Sequence, residues 1–130
     1  MRTFPLIALL SATACTSHLS YIDPSITDSG GVLASEVSDI AMHRSPRNAA
    51  ITVVPERDDH PVGETISASV HSTGLREAED GPPLRYLISR LYDGILLRVE
   101  YLGEWSAAFF RVKGGELVGS GPMTVQRAGS

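Results

Sequence analysis

The chain has a single cysteine, Cys15, among its 130 residues. That excludes an internal disulfide framework and a zinc site built on cysteines. Positive charge is also scarce. Eleven Lys and Arg stand against fifteen Asp and Glu, and the net charge is -4. A nucleic-acid binder would show a basic surface instead. Aromatic residues make up only 6%, and Tyr86, Tyr92, Tyr101, Trp105, Phe109 and Phe110 all fall in the C-terminal half. The core is therefore expected to be concentrated there. No apolar run is long enough to span a bilayer core of roughly 30 Å as a helix. The sequence holds no G-x-S-x-G, phosphate-loop, dinucleotide or HExxH pattern. Neither an enzymatic reaction nor a cofactor is expected. What is present is the composition of a globular domain, 42% hydrophobic and 20% charged.

The N-terminus reads as a secretory signal over residues 1–14. Arg2 supplies the positive end, and Phe4 to Leu10 supply a short apolar stretch. Ala12-Thr13-Ala14 is a small-x-small site that fits ordinary signal peptidase, with cleavage between Ala14 and Cys15. Ala14-Cys15 also fits a bacterial lipobox, although Ala12 stands where leucine is usual. Plain export and lipidation of Cys15 are both open. We favour lipidation, because a lone thiol is a liability in an oxidising compartment and acylation removes it. Thr16 follows, where aspartate would retain a lipoprotein at the inner membrane, so the outer membrane is expected. Residues 15–31, with Ser17, Ser20, Pro24, Ser25, Gly30 and Gly31, read as a flexible tether. Tyr21, Ile22 and Ile26 interrupt it, as a short docking segment or as scattered residues.

Residues 32–127 read as a single domain. Leu33, Val37, Ile40 and Ala41 recur at helical spacing and predict a helix over 32–43. Ala49 to Val54 is a β-branched run that predicts a strand covered on both faces. Pro61 to Thr73 predicts a second helix on Val62, Ile66, Ser69 and Val70, with Gly74 placed to end it. Leu75 to Ala78 is a possible short strand. From Leu84 the pattern turns to an antiparallel meander. Turns are expected at Asp93-Gly94, Gly103-Glu104 and Lys113-Gly114-Gly115, and a last edge strand at Met123 to Arg127. In the strand after Asp93, Ile95, Leu97, Val99 and Tyr101 share one face, while Arg98 and Glu100 take the other. The fold class is α+β, with two helices on one face of a small, mostly antiparallel sheet in the order α-β-α-(β)-β-β-β-β.

Candidate sites are few. Asp58-Asp59-His60 is the one local cluster of metal-type ligands, and we read it as a solvated loop, so no metal is expected. His18, His43 and His71 have no partner at ligand spacing. Arg85, Arg90 and Arg98 are candidates to line one sheet face and take anions, with a solvated face as the plainer reading. Trp105, Phe109 and Phe110 read as core. Adjacent Phe109 and Phe110 must point to opposite faces of a strand, so one of them is a candidate for an exposed interface aromatic.

The order of these features resembles the TrbH family of conjugal-transfer lipoproteins. The resemblance rests on the signal ending in Cys15 and on three stretches: Leu33-Ala34-Ser35-Glu36-Val37-Ser38-Asp39-Ile40-Ala41, Pro83-Leu84-Arg85-Tyr86-Leu87-Ile88, and Gly121-Pro122-Met123-Thr124-Val125-Gln126-Arg127. It implies a palmitate-bearing lipoprotein at the outer membrane, its domain facing the periplasm. It further implies a structural role in the mating-pair-formation apparatus of a type IV secretion system, through contacts with Trb- or VirB-type proteins. Either Met123, Thr124, Val125, Gln126 and Arg127, or Ala50 to Val54, would offer a strand for pairing with a partner. The alternative is a free-standing envelope lipoprotein that binds a cell-wall or lipid ligand or regulates an envelope enzyme.

Overall fold

The computed structural model describes residues 19–27, 30–119 and 123–127. The first half alternates short strands with helices: β1 (Tyr21–Ile22), α1 (Gly30–Arg44), β2 (Ala50–Val53), α2 (Pro61–Ser72) and β3 (Arg76–Glu77). The second half is all strand: β4 (Pro83–Leu91), β5 (Gly94–Tyr101), β6 (Glu104–Lys113), β7 (Glu116–Gly119) and β8 (Thr124–Arg127). Together they form one sheet in the order β3-β2-β4-β5-β6-β7, with β1 beside β4 and β8 beside β6. The helical crossovers allow β1 and β2 to run parallel to β4, and β3 parallel to β2. Tight hairpins join β4 to β7 antiparallel. The fold is α+β, with both described helices on one face of a mostly antiparallel sheet.

The covered face carries the core. Leu84, Tyr86 and Ile88 of β4, Ile95, Leu97, Val99 and Tyr101 of β5, and Phe110 of β6 all lie within it. Above them α1 contributes Leu33, Val37, Ile40 and Ala41, and α2 contributes Val62, Ile66 and Val70. The helices meet through small residues. Ser38 Oγ and Ser69 Oγ lie 2.6 Å apart, and Ser69 Oγ donates to the Ala34 carbonyl at 3.4 Å. Pro61 opens α2 and Gly74, at φ 101°, follows its C-cap Thr73, as the sequence suggests.

Four expectations need correction. The expected tether 15–31 is not a tether over residues 20–27 and 30–31. Ile22 and Ile26 are buried in the core, β1 pairs with Leu87 and Ile88, and α1 begins at Gly30. The cause is non-local: β2 covers only the Pro83-Leu84 end of that edge of β4, and β1 pairs farther along it, with Leu87 and Ile88. The turn expected at Asp93-Gly94 is formed by Tyr92-Asp93, with Tyr92 at φ 56°, and Gly94 is already paired with Leu91. The next turn likewise moves back one residue, to Leu102-Gly103, both at positive φ, as a type I′ hairpin requires. Finally, β2 is flanked by β3 and β4, so Ala50 to Val54 offers no free edge.

One glycine ties the helical layer to the sheet. A Cβ at Gly63 would overlap the carboxylate of Glu56, which accepts a hydrogen bond from the Tyr86 hydroxyl. Alanine ordinarily favours a helix interior over glycine by about 1 kcal/mol. Gly63→Ala should therefore destabilise the wild type, because Glu56 must leave Tyr86. In a Glu56→Ala background the same change should stabilise by about 1 kcal/mol. A double-mutant cycle by urea unfolding checks the reversal of sign. Equal effects in both backgrounds would refute the contact.

Candidate functional site

Strand alternation places every second residue of β4, β5 and β6 on the face away from the helices. No described helix covers that face. Its residues fall into cross-strand rows. One row is Arg85, Glu100, Trp105 and Gln126. The next is Leu87, Arg98, Ala107 and Thr124, with Tyr21 of β1 at its outer end. A third is Ser89, Leu96 and Phe109, and a fourth is Leu91, Gly94, Arg111 and Val118. Leu87, Leu96, Trp105, Ala107 and Phe109 are half-buried, and Arg98 and Arg111 are exposed. A cavity of about 330 Å³ opens on this face, lined by Leu87, Arg98, Trp105, Ala107, Thr124 and Gln126.

The charges on the face are unevenly committed. Arg85 Nε and Nη2 both lie 3.1 Å from Glu100 Oε1, and the guanidinium carbon stands 5.2 Å from the centre of the Trp105 ring. That stack fixes Trp105 against the sheet and covers one side of its indole. Among the described residues no carboxylate pairs with Arg98 or Arg111.

The sequence candidates scatter over the molecule. Arg85 and Arg98 share the open face. Arg90 does not: five positions from Arg85, it projects to the opposite side, where its Nε donates to Ser25 Oγ at 2.7 Å. Trp105 and Phe109, read as core, lie on the open face instead, while Phe110 is 4% exposed within the core. The reason is pairing. Phe110 sits opposite Ile95 of the core row, so Phe109 and Trp105 must take the other side.

Asp58, Asp59 and His60 form the loop before α2, and His60 Nδ1 accepts from the Val62 amide at 3.1 Å as the helix cap. His71 Nε2 lies 2.8 Å from Glu77 Oε1, and His43 Nδ1 lies 2.7 Å from the Asp39 carbonyl. No group of three or more His, Cys, Asp or Glu among the described residues is arranged to hold a metal ion.

Thr124 to Arg127 is strand β8, fully exposed and paired with Glu104 to Ala107; no described strand occupies its outer edge. Ala14 and Cys15 lie outside the described residues.

The hydrophobic floor of the face, Leu87, Leu96 and Ala107, was not singled out by the sequence. The signal was the alternation itself. Leu87 and Leu96 occupy the off-core positions of β4 and β5, where a solvated face would carry polar side chains. No helix among the described residues is long and apolar enough to cross a membrane. No family model, curated protein or solved structure matches this chain.

Proposed function

We propose that this protein is an outer-membrane lipoprotein serving as a structural subunit of a conjugative type IV secretion apparatus, as its resemblance to the TrbH family implies. The observation that carries this reading is the uncovered sheet face. An apolar and aromatic centre with arginine at its margin is the composition of a protein-docking surface. An assembly subunit needs such a surface more than it needs a reaction centre. The outer edge of β8 beside it, which no described strand occupies, supports the same role, since an added strand would extend the sheet there.

The shortened tether sharpens the picture. Lipidated at Cys15, the chain has only Thr16 to Leu19 before the domain begins at Ser20. Those few residues extend to at most about 17 Å, so the domain is held close to the membrane surface. A free-standing envelope lipoprotein that takes a small ligand is the second reading, favoured by the cavity beside Trp105.

Metabolic labelling with a clickable fatty acid tests the anchor. Wild type should be labelled and Cys15→Ser should lose the label entirely. Label that survives the substitution, or is absent in wild type, sinks the lipoprotein reading. Deletion from a donor strain tests the role: mating frequency should fall and return on complementation with wild type, but not with Cys15→Ser. Undiminished mating in the deletion strain would leave the free-standing reading.

A further inference from the structure

The geometry points to a more specific occupant of the open face: an acidic, apolar segment of a protein partner. It would seat a large apolar side chain over Ala107 and pair a carboxylate with Arg98. This rests on the reading of the face as a docking surface.

Shape is the first reason. Ala107 is the smallest side chain on its strand's open side and lies between Trp105 and Phe109, two residues away in each direction on the same face. Arg98 and Thr124 stand beside it on the neighbouring strands. The result is a depression with an aliphatic floor of Leu87 and Ala107, the Trp105 indole as its wall and an arginine at its rim, a cavity of about 330 Å³, with Phe109 next along the strand. An apolar side chain fits such a floor, and the adjoining guanidinium favours a carboxylate nearby.

Charge is the second reason. The chain is acidic overall, at -4. The open face runs against that balance. Of its carboxylates, Glu100 is already held by Arg85 and Glu116 stands opposite Lys113 at the far end of β6, which leaves the positive charges of Arg98 and Arg111 to face outward. A local cationic patch on an acidic protein selects an acidic partner and repels a basic one.

A polyanionic nucleic acid fits less well. Proteins that hold DNA by its backbone make about 6–10 phosphate contacts, and two uncommitted arginines on an acidic chain fall short of that. The indole side turned to Arg85 is also closed to a stacking base.

Trp105 is the only tryptophan in the chain, so its fluorescence reports on this face alone. The test is to pan a random dodecapeptide phage library on the purified full-length protein. The recovered peptides are then titrated while Trp105 emission is followed. Enriched peptides should combine Asp or Glu with Leu, Ile or Phe. They should bind at least tenfold more weakly to Arg98→Glu and to Ala107→Gln. Arg47→Glu, an equal charge change in the exposed loop between α1 and β2, should bind like wild type. Circular dichroism of each variant confirms that it is folded.

Failure to enrich, enrichment of basic peptides, or affinity indifferent to Arg98→Glu overturns the inference. So does a saturable Trp105 response to phosphatidylglycerol vesicles or to oligo-dT where the acidic peptides give none. The two readings fail separately. Loss of mating in the deletion strain with no peptide selectivity removes this inference alone. Peptide selectivity with intact mating removes the conjugation role and keeps the site.

Discussion

Tyr86→Ala is expected to lower the unfolding free energy by about 4 kcal/mol, in the range seen when a buried aromatic is cut to alanine. The residue is 1% exposed, in the middle of β4, and shares a pocket with Gly63, Glu64 and Ser67 of α2. It is held at two ends. Its amide donates to Ser20 Oγ at 3.0 Å, and its hydroxyl donates to Glu56. Tyr86→Phe keeps the ring and removes only the second tie. Glu56 then loses its donor beside α2, which should cost about 2 kcal/mol, as for other hydrogen bonds to a charged group. Urea unfolding at neutral pH measures both. A Tyr86→Phe protein as stable as wild type would show that the hydroxyl bond contributes nothing.

The same bond gives stability a pH dependence. Burial, the hydrogen bond to Glu56 and the nearby carboxylate charge together push the Tyr86 phenol far above its ordinary range. The folded protein therefore keeps this proton where the unfolded chain releases it, near pH 10. The contribution is complete below that pH and is lost as pH rises beyond it, at up to about 1.4 kcal/mol per pH unit. Tyr86→Phe has no such proton. The stability gap between wild type and Tyr86→Phe should stay constant from pH 7 to 9 and close above pH 10. A gap that widens with alkalinity would contradict the direction of the shift.

Local chemistry and non-local pairing differ in how far the sequence discloses them. Pro61 and Gly74 mark the ends of α2 through their own backbone preferences, and the described helix runs from Pro61 to Ser72. The alternation of Leu97, Val99 and Tyr101 against Arg98 and Glu100 identifies the two faces of β5, because polarity changes at every step from Leu97 to Tyr101. In β6 that contrast fails. Trp105, Ala107 and Phe109 are as apolar as Ala108 and Phe110, so polarity does not say which set faces the helices. Pairing with β5 decides it, and that information lies across the hairpin. Ile22 and Ile26 show the same limit. Among serine, aspartate and proline they look incidental, and only the unoccupied edge of β4 makes them core. The open face escaped a residue-by-residue reading for this reason: it is defined by what the described helices leave uncovered.

Gly94→Ala should be the most damaging glycine replacement in the meander. A Cβ there would overlap the Phe110 carbonyl oxygen and stand 2.6 Å from Phe109 Cζ. The first obstacle is backbone, and Gly94 is held on both sides, by Leu91 of β4 and Arg111 of β6. Relief requires the strands to part, so we expect a loss of about 3 kcal/mol, at the upper end of ordinary overpacking. Gly94→Val should fail to accumulate as folded protein. Gly103→Ala is the control. Its φ is 79°, yet nothing lies within 4 Å of the added Cβ, so it meets only the left-handed backbone penalty of about 1–2 kcal/mol. Urea midpoints of the two alanine variants separate steric overlap from backbone strain. If Gly94→Ala costs no more than Gly103→Ala, the close approach of β5 and β6 is wrong. The consequence reaches the open face, because Phe109, the neighbour of Ala107 along that face, packs against Gly94. Displacing that ring should weaken acidic-peptide binding and alter Trp105 emission in whatever fraction of Gly94→Ala still folds, whereas Gly103→Ala should leave both unchanged.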